Sequence, residues 1–447
     1  KKMFNKKGIT VLLAIPFVGF AQQPTDTIAM QKVLDEVNVN ALRATEKTPV
    51  AFTNISKSEI EKGNLGQDLP YMISLTPSVV TTSDAGAGVG YTGFRVRGSD
   101  PTRINVTVNG IPLNDSESQG VWWVNMPDFT SSVDNIQIQR GVGTSTNGAS
   151  AFGATVNLKT TGLNKDAYVR SSNTFGSYNT LKNNVEFGTG LLKNKFAFDG
   201  RLSQVSSDGY MDRATSNLKS FYLSAGYFGK NEMLKAIIFS GHERTYQAWY
   251  GVPLNYLDSA RTYNPYTYDN EVDNYGQTHY QLHYSKKVKE NTNVNISAHY
   301  THGEGYYEQF KSGEDLADYG LENILIGNDT IGSTDLIRRK WLNNDFGGVV
   351  FSLNHKMEKL NLTFGGASNR YSGQHYGNII WAEYASDGNY EHEYYKNIAT
   401  KFDHNLYLKA DYSLSANTNL YADLQKRNVE YQFMGNDEDG NAAEQTV

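Results

Sequence analysis

The chain of 447 residues has no cysteine, only 10 prolines and, beyond residue 21, no apolar run long enough to cross a bilayer as a helix, which takes roughly 20 residues. Each absence excludes something. Without thiols there are no structural disulfides, no zinc–thiolate sites, no thiol catalysis and no lipidation at a mature cysteine. The missing apolar runs, with a mean hydropathy of -0.53, exclude a helical membrane protein. Basic residues are also in deficit, 41 against 47 acidic, for a formal net charge of -6, and that balance argues against nucleic acid as a partner. No G-x-S-x-G elbow and no H-E-x-x-H helix occurs, and Asp115 and Glu117 are the carboxylates an exposed turn carries, so an enzyme is not expected, nor a catalytic residue or a cofactor.

What the chain has is 41 glycines, 30 tyrosines and 20 phenylalanines, and a long series of alternating stretches. Leu406, Leu408, Ala410, Tyr412 and Leu414 interleave with Tyr407, Lys409, Asp411 and Ser413; Val294, Ile296, Ala298 and Tyr300 interleave with Asn293, Asn295, Ser297 and His299. Successive strand residues point to opposite faces, so each stretch builds one oily wall and one wet wall. Soluble sandwiches do this too, but here the gaps alternate in length. Residues 192–195, 229–232, 290–292 and 416–418 are tight polar turns, whereas residues 243–274, 305–344 and 373–400 are long connections. Short turns on one side and long loops on the other are the pattern of a transmembrane antiparallel β-barrel, with aromatic girdles at the two interfaces and about eleven strands in residues 161–447. Tyrosine also favours strands of any kind.

The N-terminal third reads differently. Lys1, Lys2, Lys6 and Lys7 followed by an apolar stretch and Ala21 form a signal peptide over residues 1–21, which marks the chain for export. Residues 41–160 read as a small mixed α/β domain. Strand patterns occur at residues 94–97, 104–108, 136–139 and 155–159, Asn109-Gly110 marks a hairpin, Ser58 marks a helix start, and residues 65–74 hold a second short helix. Gly88, Gly90 and Gly93 match G-x-G-x-x-G, but a strand pattern follows them and no helix opens to receive a pyrophosphate. A mobile loop or close packing inside a tube is the better use of these glycines.

The order and spacing of Phe94-Arg95-Val96-Arg97-Gly98, Val108-Asn109-Gly110-Ile111-Pro112, Ile136-Gln137-Ile138-Gln139-Arg140-Gly141 and Gly148-Ala149-Ser150-Ala151-Phe152-Gly153 resemble the plug-domain landmarks of TonB-dependent outer-membrane receptors. Ala154 departs from the second glycine often found there. Upstream, Asp35, Glu36, Val37, Asn38 and Val39 resemble the TonB box, within a periplasmic tail of residues 22–40, although Asn38 interrupts it. The resemblance implies a mainly β fold: an N-terminal mixed α/β plug domain and a transmembrane barrel, about half present and incomplete beside the family's roughly 22 strands, with residues 435–440 read as an outer loop that never returns. It implies the outer membrane of a Gram-negative-type bacterium as the location, outer-membrane lipid as surroundings, and the TonB energy-transducing complex as partner, paired edge-on to the box.

The resemblance also places Arg97 and Arg140 where the family sets two plug arginines against barrel glutamates; an ordinary solvated strand arginine is the plainer use. Substrate capture is expected where plug apices meet outer loops, with Tyr91, Asn114, Trp122, Trp123, Trp249, Tyr250 and Tyr266 as candidates, although packing suits each ring as well. His299 and His302 fall on opposite strand faces and His392 lies between two glutamates in a loop, so a metal site is not expected. The tail is too short for an extra domain ahead of the plug. By resemblance the cargo is a ferric siderophore or similar iron chelate, with cobalamin, haem or another nutrient, or a non-transporting surface adhesin, as alternatives.

Overall fold

A computed structural model describes residues 43–45, 48–144, 151–385, 391–437 and 441–446. The expected signal peptide of residues 1–21 and the expected coupling segment Asp35, Glu36, Val37, Asn38 and Val39 lie outside the described residues.

The N-terminal domain is a five-stranded sheet in the order β1-β6-β7-β4-β5, built from β1 (Ala51–Ser56), β4 (Ile104–Val108), β5 (Ile111–Pro112), β6 (Val133–Arg140) and β7 (Ala154–Thr160), with a side hairpin of β2 (Val79–Ser83) and β3 (Thr92–Val96). Two short helices, α1 (Lys57–Gly63) and α2 (Leu69–Met72), pack against it. All four strand patterns read from the sequence fall on strands, except that β3 ends at Val96 and Arg97 turns away from it at φ 51°. The α1 start lies two residues before the expected Ser58: Ser56 is the cap, its backbone N–H and hydroxyl both reaching Glu59, which satisfies donors a helix start otherwise leaves open. At Asn109-Gly110 both residues have positive φ, 55° and 83°, the twist a two-residue hairpin needs. Local sequence did not signal the β4–β7 pair, which is parallel and so depends on a long crossover.

Around this domain runs a single antiparallel sheet of twelve strands in sequence order: β8 (Ala167–Phe175), β9 (Leu181–Thr189), β10 (Phe196–Ser207), β11 (Ser216–Phe228), β12 (Glu232–Tyr246), β13 (Val272–Lys289), β14 (Thr292–Asp315), β17 (Ser333–Lys356), β18 (Leu360–Ala382), β19 (His392–Ser413), β20 (Asn419–Asn436) and β21 (Ala442–Thr446). A small hairpin, β15 (Ile324–Ile326) with β16 (Asp329–Ile331), decorates the connection after β14. The sheet is an incomplete barrel, with β8 and β21 at its two ends.

The alternation works as read. Leu234, Leu282, Ile296, Phe364, Leu406 and Leu408 are exposed on one face while Lys235, His283, Asn295, Ser297, Tyr407 and Lys409 are buried on the other. The apolar face is outside and the polar face inside, the reverse of a soluble protein and the arrangement a membrane barrel needs.

Two expectations are corrected. Much of the expected connections at 305–344 and 373–400 is strand, whereas 243–274 is a connection over residues 247–271 as expected: β14 and β17 are 24 residues each, against the 9–11 a membrane requires. Backbone pairing continues past the apolar band, where the sequence turns polar and no longer shows the pattern. The chain after β20 also does return, since β21 pairs antiparallel with the end of β20 through Asn436↔Ala442 to Gln432↔Thr446. No aromatic or aliphatic alternation announces that strand.

The plug is fastened to the wall by packing and by one buried ionic cluster. Its core of Val106, Phe129, Ile136 and Val156 continues into Tyr222, Ile237 and Phe239 of the wall. At Gly241 in β12 an added Cβ would meet the Asn125 carbonyl oxygen at 2.2 Å, so glycine is what lets the plug backbone touch the strand. Beside this contact Asp128, in left-handed conformation at φ 51°, has Lys182 Nζ at 2.6 Å and Arg201 Nη1 at 3.2 Å, all nearly inaccessible to solvent. Asn184 donates at 2.7 Å, and the Ser203 hydroxyl donates as well. Burial works against the Asp128 charge, but Arg201 and Lys182 outweigh it and pull the carboxyl down to about 2.

Removing one member of a buried ion cluster strands its partners and costs ~3–5 kcal/mol. Asp128→Asn should therefore lower the denaturant midpoint of plug unfolding by a corresponding amount, followed by tryptophan fluorescence, while Glu61→Gln at the exposed Arg170 pair should leave it within ~0.5 kcal/mol. Because the folded-state value of Asp128 lies below the unfolded one, its contribution is present above about pH 4 and is lost as pH falls toward 2.

Candidate functional site

On the long-loop side a cavity of about 500 Å³ lies between plug apex and wall. Three of its rings come from residues picked out by sequence. Tyr91, in the loop before β3, stands edge-on to Trp122 at 6.0 Å and to Trp249 at 5.6 Å between ring centroids, and Trp249 continues edge-on to Tyr307 at 5.5 Å. Edge-to-face rings favour one another by quadrupole attraction and hold a fixed aromatic wall. The Tyr91 hydroxyl donates to Asp273 at the start of β13, which fixes the ring from the barrel side.

Trp122 and Trp123 part company. Trp122 is 51% exposed and lines the cavity. Trp123, 3% exposed, opens a 3-10 turn and packs into the plug core 5.9 Å from the Phe94 ring. Asn114 is structural as placed: its side chain accepts from Val106 N at 2.7 Å and donates to the carbonyls of Ile104 at 2.9 Å and Gln119 at 2.7 Å, so its hydrogen-bonding capacity is consumed in clipping the apical loop. Tyr250 and Tyr266 pack against each other with their rings tilted, 5.4 Å between centroids, on the β12–β13 connection and do not line the cavity.

Residues that sequence reasoning did not select complete the site: Glu243 and Asp273 in β12 and β13, and Tyr275, Asn344, Tyr371 and His375 from deeper in the sheet. Strand parity was the available signal. From Met233 to Thr245 every odd-numbered residue of β12 is buried, and Glu243 falls in that series. The apical loop is tied to the same wall through Glu117, which accepts from Tyr371 at 2.6 Å and Tyr431 at 3.0 Å and faces His375 Nε2 at 3.1 Å. Burial opposes its charge, yet His375 and the two hydroxyls hold the carboxyl below its usual range. Lys401 Nζ adds a bond to the Ser116 carbonyl at 2.7 Å.

The two plug arginines sit elsewhere. Arg140 Nη1 donates to Thr53 Oγ1 at 2.7 Å within the plug sheet, and Arg97 occupies a positive φ of 51°. Among the described residues neither forms an ion pair with a barrel carboxylate, and the buried plug–wall pair has the opposite polarity, an acid on the plug against Lys182 and Arg201. Nothing in the spacing around Pro127-Asp128-Phe129 announced this. Gly90, with φ 95°, brings its Cα against Ser216 Oγ, which an added Cβ would meet at 2.7 Å; this glycine serves close packing against the wall. His299 is buried inward and His302 pairs with Asp345 at 2.9 Å.

Residues 44–155 match the family model "TonB-dependent Receptor Plug Domain". No curated protein sequence matches the chain. Among solved structures it resembles the open form of the ferric-catecholate import receptor Fiu of E. coli K12, at 13% identity and a TM-score of 0.66, covering 90% of this chain and 65% of that one. The ferric yersiniabactin uptake receptor FyuA of Yersinia pestis matches at 11% and 0.66, with 89% and 60% covered. The ferripyoverdine receptor of the outer membrane of Pseudomonas aeruginosa matches at 12% and 0.64, with 92% and 55% covered. The chain thus spans 55–65% of the length of these structures, and at such identities the likeness establishes the fold.

Trp122→Ala and Trp123→Ala should separate binding from stability. The buried Trp123 should cost ~3–5 kcal/mol of plug stability in denaturant unfolding. Trp122 should cost under ~1 kcal/mol, while ligand affinity, read by calorimetry, falls about tenfold.

Proposed function

We propose that this TonB-dependent receptor imports a scarce nutrient across the outer membrane of a Gram-negative-type bacterium, driven by an inner-membrane energy source, and that the nutrient is a ferric siderophore or a similar iron chelate. The observation that carries the reading is a plug domain seated inside a wall whose apolar face is outward, with a ring-lined cavity at the plug apex on the long-loop side. A channel so obstructed passes nothing by diffusion; import through it requires the plug to move.

The start of the described chain supports a route for that movement. Four residues after Val39, Arg43 reaches the carbonyls of Asn157 at 2.8 Å and Asn135 at 3.2 Å, and also the Asn135 side chain. Ala44 exchanges two bonds with the Gln137 side chain, at 2.9 and 3.0 Å. The tail is therefore clasped to β6 and β7, the central strands of the plug sheet. Tension on Asp35 to Val39, paired as an added strand with the energy-transducing partner, arrives directly at the middle of the plug. The iron-chelate cargo draws on the solved receptors of the same fold, which handle ferric catecholate, ferric yersiniabactin and ferripyoverdine.

Cells carrying the full-length gene should take up a labelled ferric chelate in an energy-dependent manner. Val37→Pro, which disrupts strand pairing by the coupling segment, should abolish uptake and leave surface binding intact. Binding and uptake both indifferent to the change would remove the coupling reading and leave a surface binding protein; no uptake of any iron chelate would remove the cargo.

A further inference from the structure

The charge of the cavity is one-sided. Among the described residues Asp84, Asp115, Glu117, Glu243 and Asp273 line it, and no lysine or arginine does. Three of the five are engaged: Asp115 accepts from Glu117 N, Ser118 N and Ser118 Oγ, Glu117 is held by Tyr371, Tyr431 and His375, and Asp273 accepts from the Tyr91 hydroxyl, a neutral donor that leaves its charge uncompensated. Glu243 is different. It is 1% exposed, and its Oε2 has no hydrogen-bond partner. The register sets Glu243 opposite Tyr275 and Thr245 opposite Asp273, so both carboxyl groups lie on the inward face within one step of each other along the ladder. Among the described residues neither forms an ion pair. An uncompensated buried carboxylate is costly, and a second acid beside it adds to the cost.

A cation arriving from outside would relieve that cost. The walls suit an organic one: Tyr91, Trp122 and Trp249 present ring faces and edges around the acids, and a cation over such rings gains further electrostatic attraction. A bare metal ion fits less well, because among the described residues no three acidic or histidine side chains gather at metal-holding geometry. An anionic chelate would meet like charge at these acids. Resting on the import reading above, we propose that the ligand is a positively charged organic molecule, an ammonium or guanidinium group seated at Glu243 and Asp273 with its apolar body against Tyr91, Trp122 and Trp249.

Calorimetry on the purified full-length receptor tests this with matched probes: a ferric trihydroxamate ending in a free ammonium, the same chelate capped by acetyl, the same capped by succinyl, and the metal-free ammonium form. The ammonium chelate should bind at least about tenfold more tightly than the acetylated one, and the succinylated one most weakly. Glu243→Gln and Asp273→Asn should each collapse the ammonium-to-acetyl ratio toward one; heat-shifted migration on a gel reports folding of each variant, and either one folded suffices. Equal or tighter binding of the acetyl or succinyl form, a ratio that survives in the folded variants, or binding of none of the ammonium probes overturns the inference. If the metal-free ammonium form binds as tightly as the ferric one, the charge inference stands and the iron-chelate reading fails; if all ferric forms bind alike and the metal-free form does not, the reverse holds.

Discussion

In hydrocarbon no water is available to satisfy a main-chain N–H or C=O, so every strand that crosses must hand its backbone bonds to a neighbour. The twelve-stranded ladder answers that demand strand by strand, and the rest of the molecule follows from it. Pairing forces the side chains to alternate, alternation forces an oily outer face, and the other face becomes a polar lumen. Only a polar lumen can hold a folded domain by hydrogen bonds and ion pairs while allowing it to leave. Lys182, Arg201, Asn184 and Ser203 are all lumen-facing residues of β9 and β10, and together they grip Asp128.

Apolar continuity and ionic contact divide the work of seating the plug. Tyr222, Ile237 and Phe239 extend the plug core into the wall, which gives adhesion without direction. The Asp128 cluster supplies direction, since its geometry fits one placement only, and the Glu117 contacts with Tyr371, Tyr431 and His375 do the same for the apical loop. Both tethers are carboxylates on the plug. The one at the apex is also part of the cavity wall, so cavity and plug position share a residue.

How much of this was legible in the sequence depended on range. Period-two patterning gave the outward residues Leu406, Leu408 and Ile296, and the Asn109-Gly110 pair gave its hairpin, because each is decided by neighbours in the chain. Strand ends in β14 and β17 were not legible, since beyond the bilayer both faces are wet and alternation carries no composition signal. The parallel β4–β7 pair and the Asp128 cluster join residues 50 or more apart and leave no local trace. Of the candidate site, Tyr91, Trp122 and Trp249 were found by residue type at plug apices and loops. Asn114 and Trp123 look the same in sequence, yet one is spent on the backbone and the other on the core. Glu243 and Asp273 were overlooked because an acid near a strand end is ordinary until the fold buries it.

The length of the strands bears on how a ligand is met. At roughly 3.3 Å per residue a 24-residue strand runs to about 80 Å, more than twice the tilted path of about 33 Å through an apolar band of about 25 Å. Much of what sequence patterning assigns to loops is therefore rigid palisade, and Trp249, Tyr307 and Tyr371 stand on it or at its rim. A molecule entering such an enclosure finds its contacts already in position. Little conformational entropy remains to be lost by the receptor on capture, so selectivity is set by the shape and charge of a stiff vestibule.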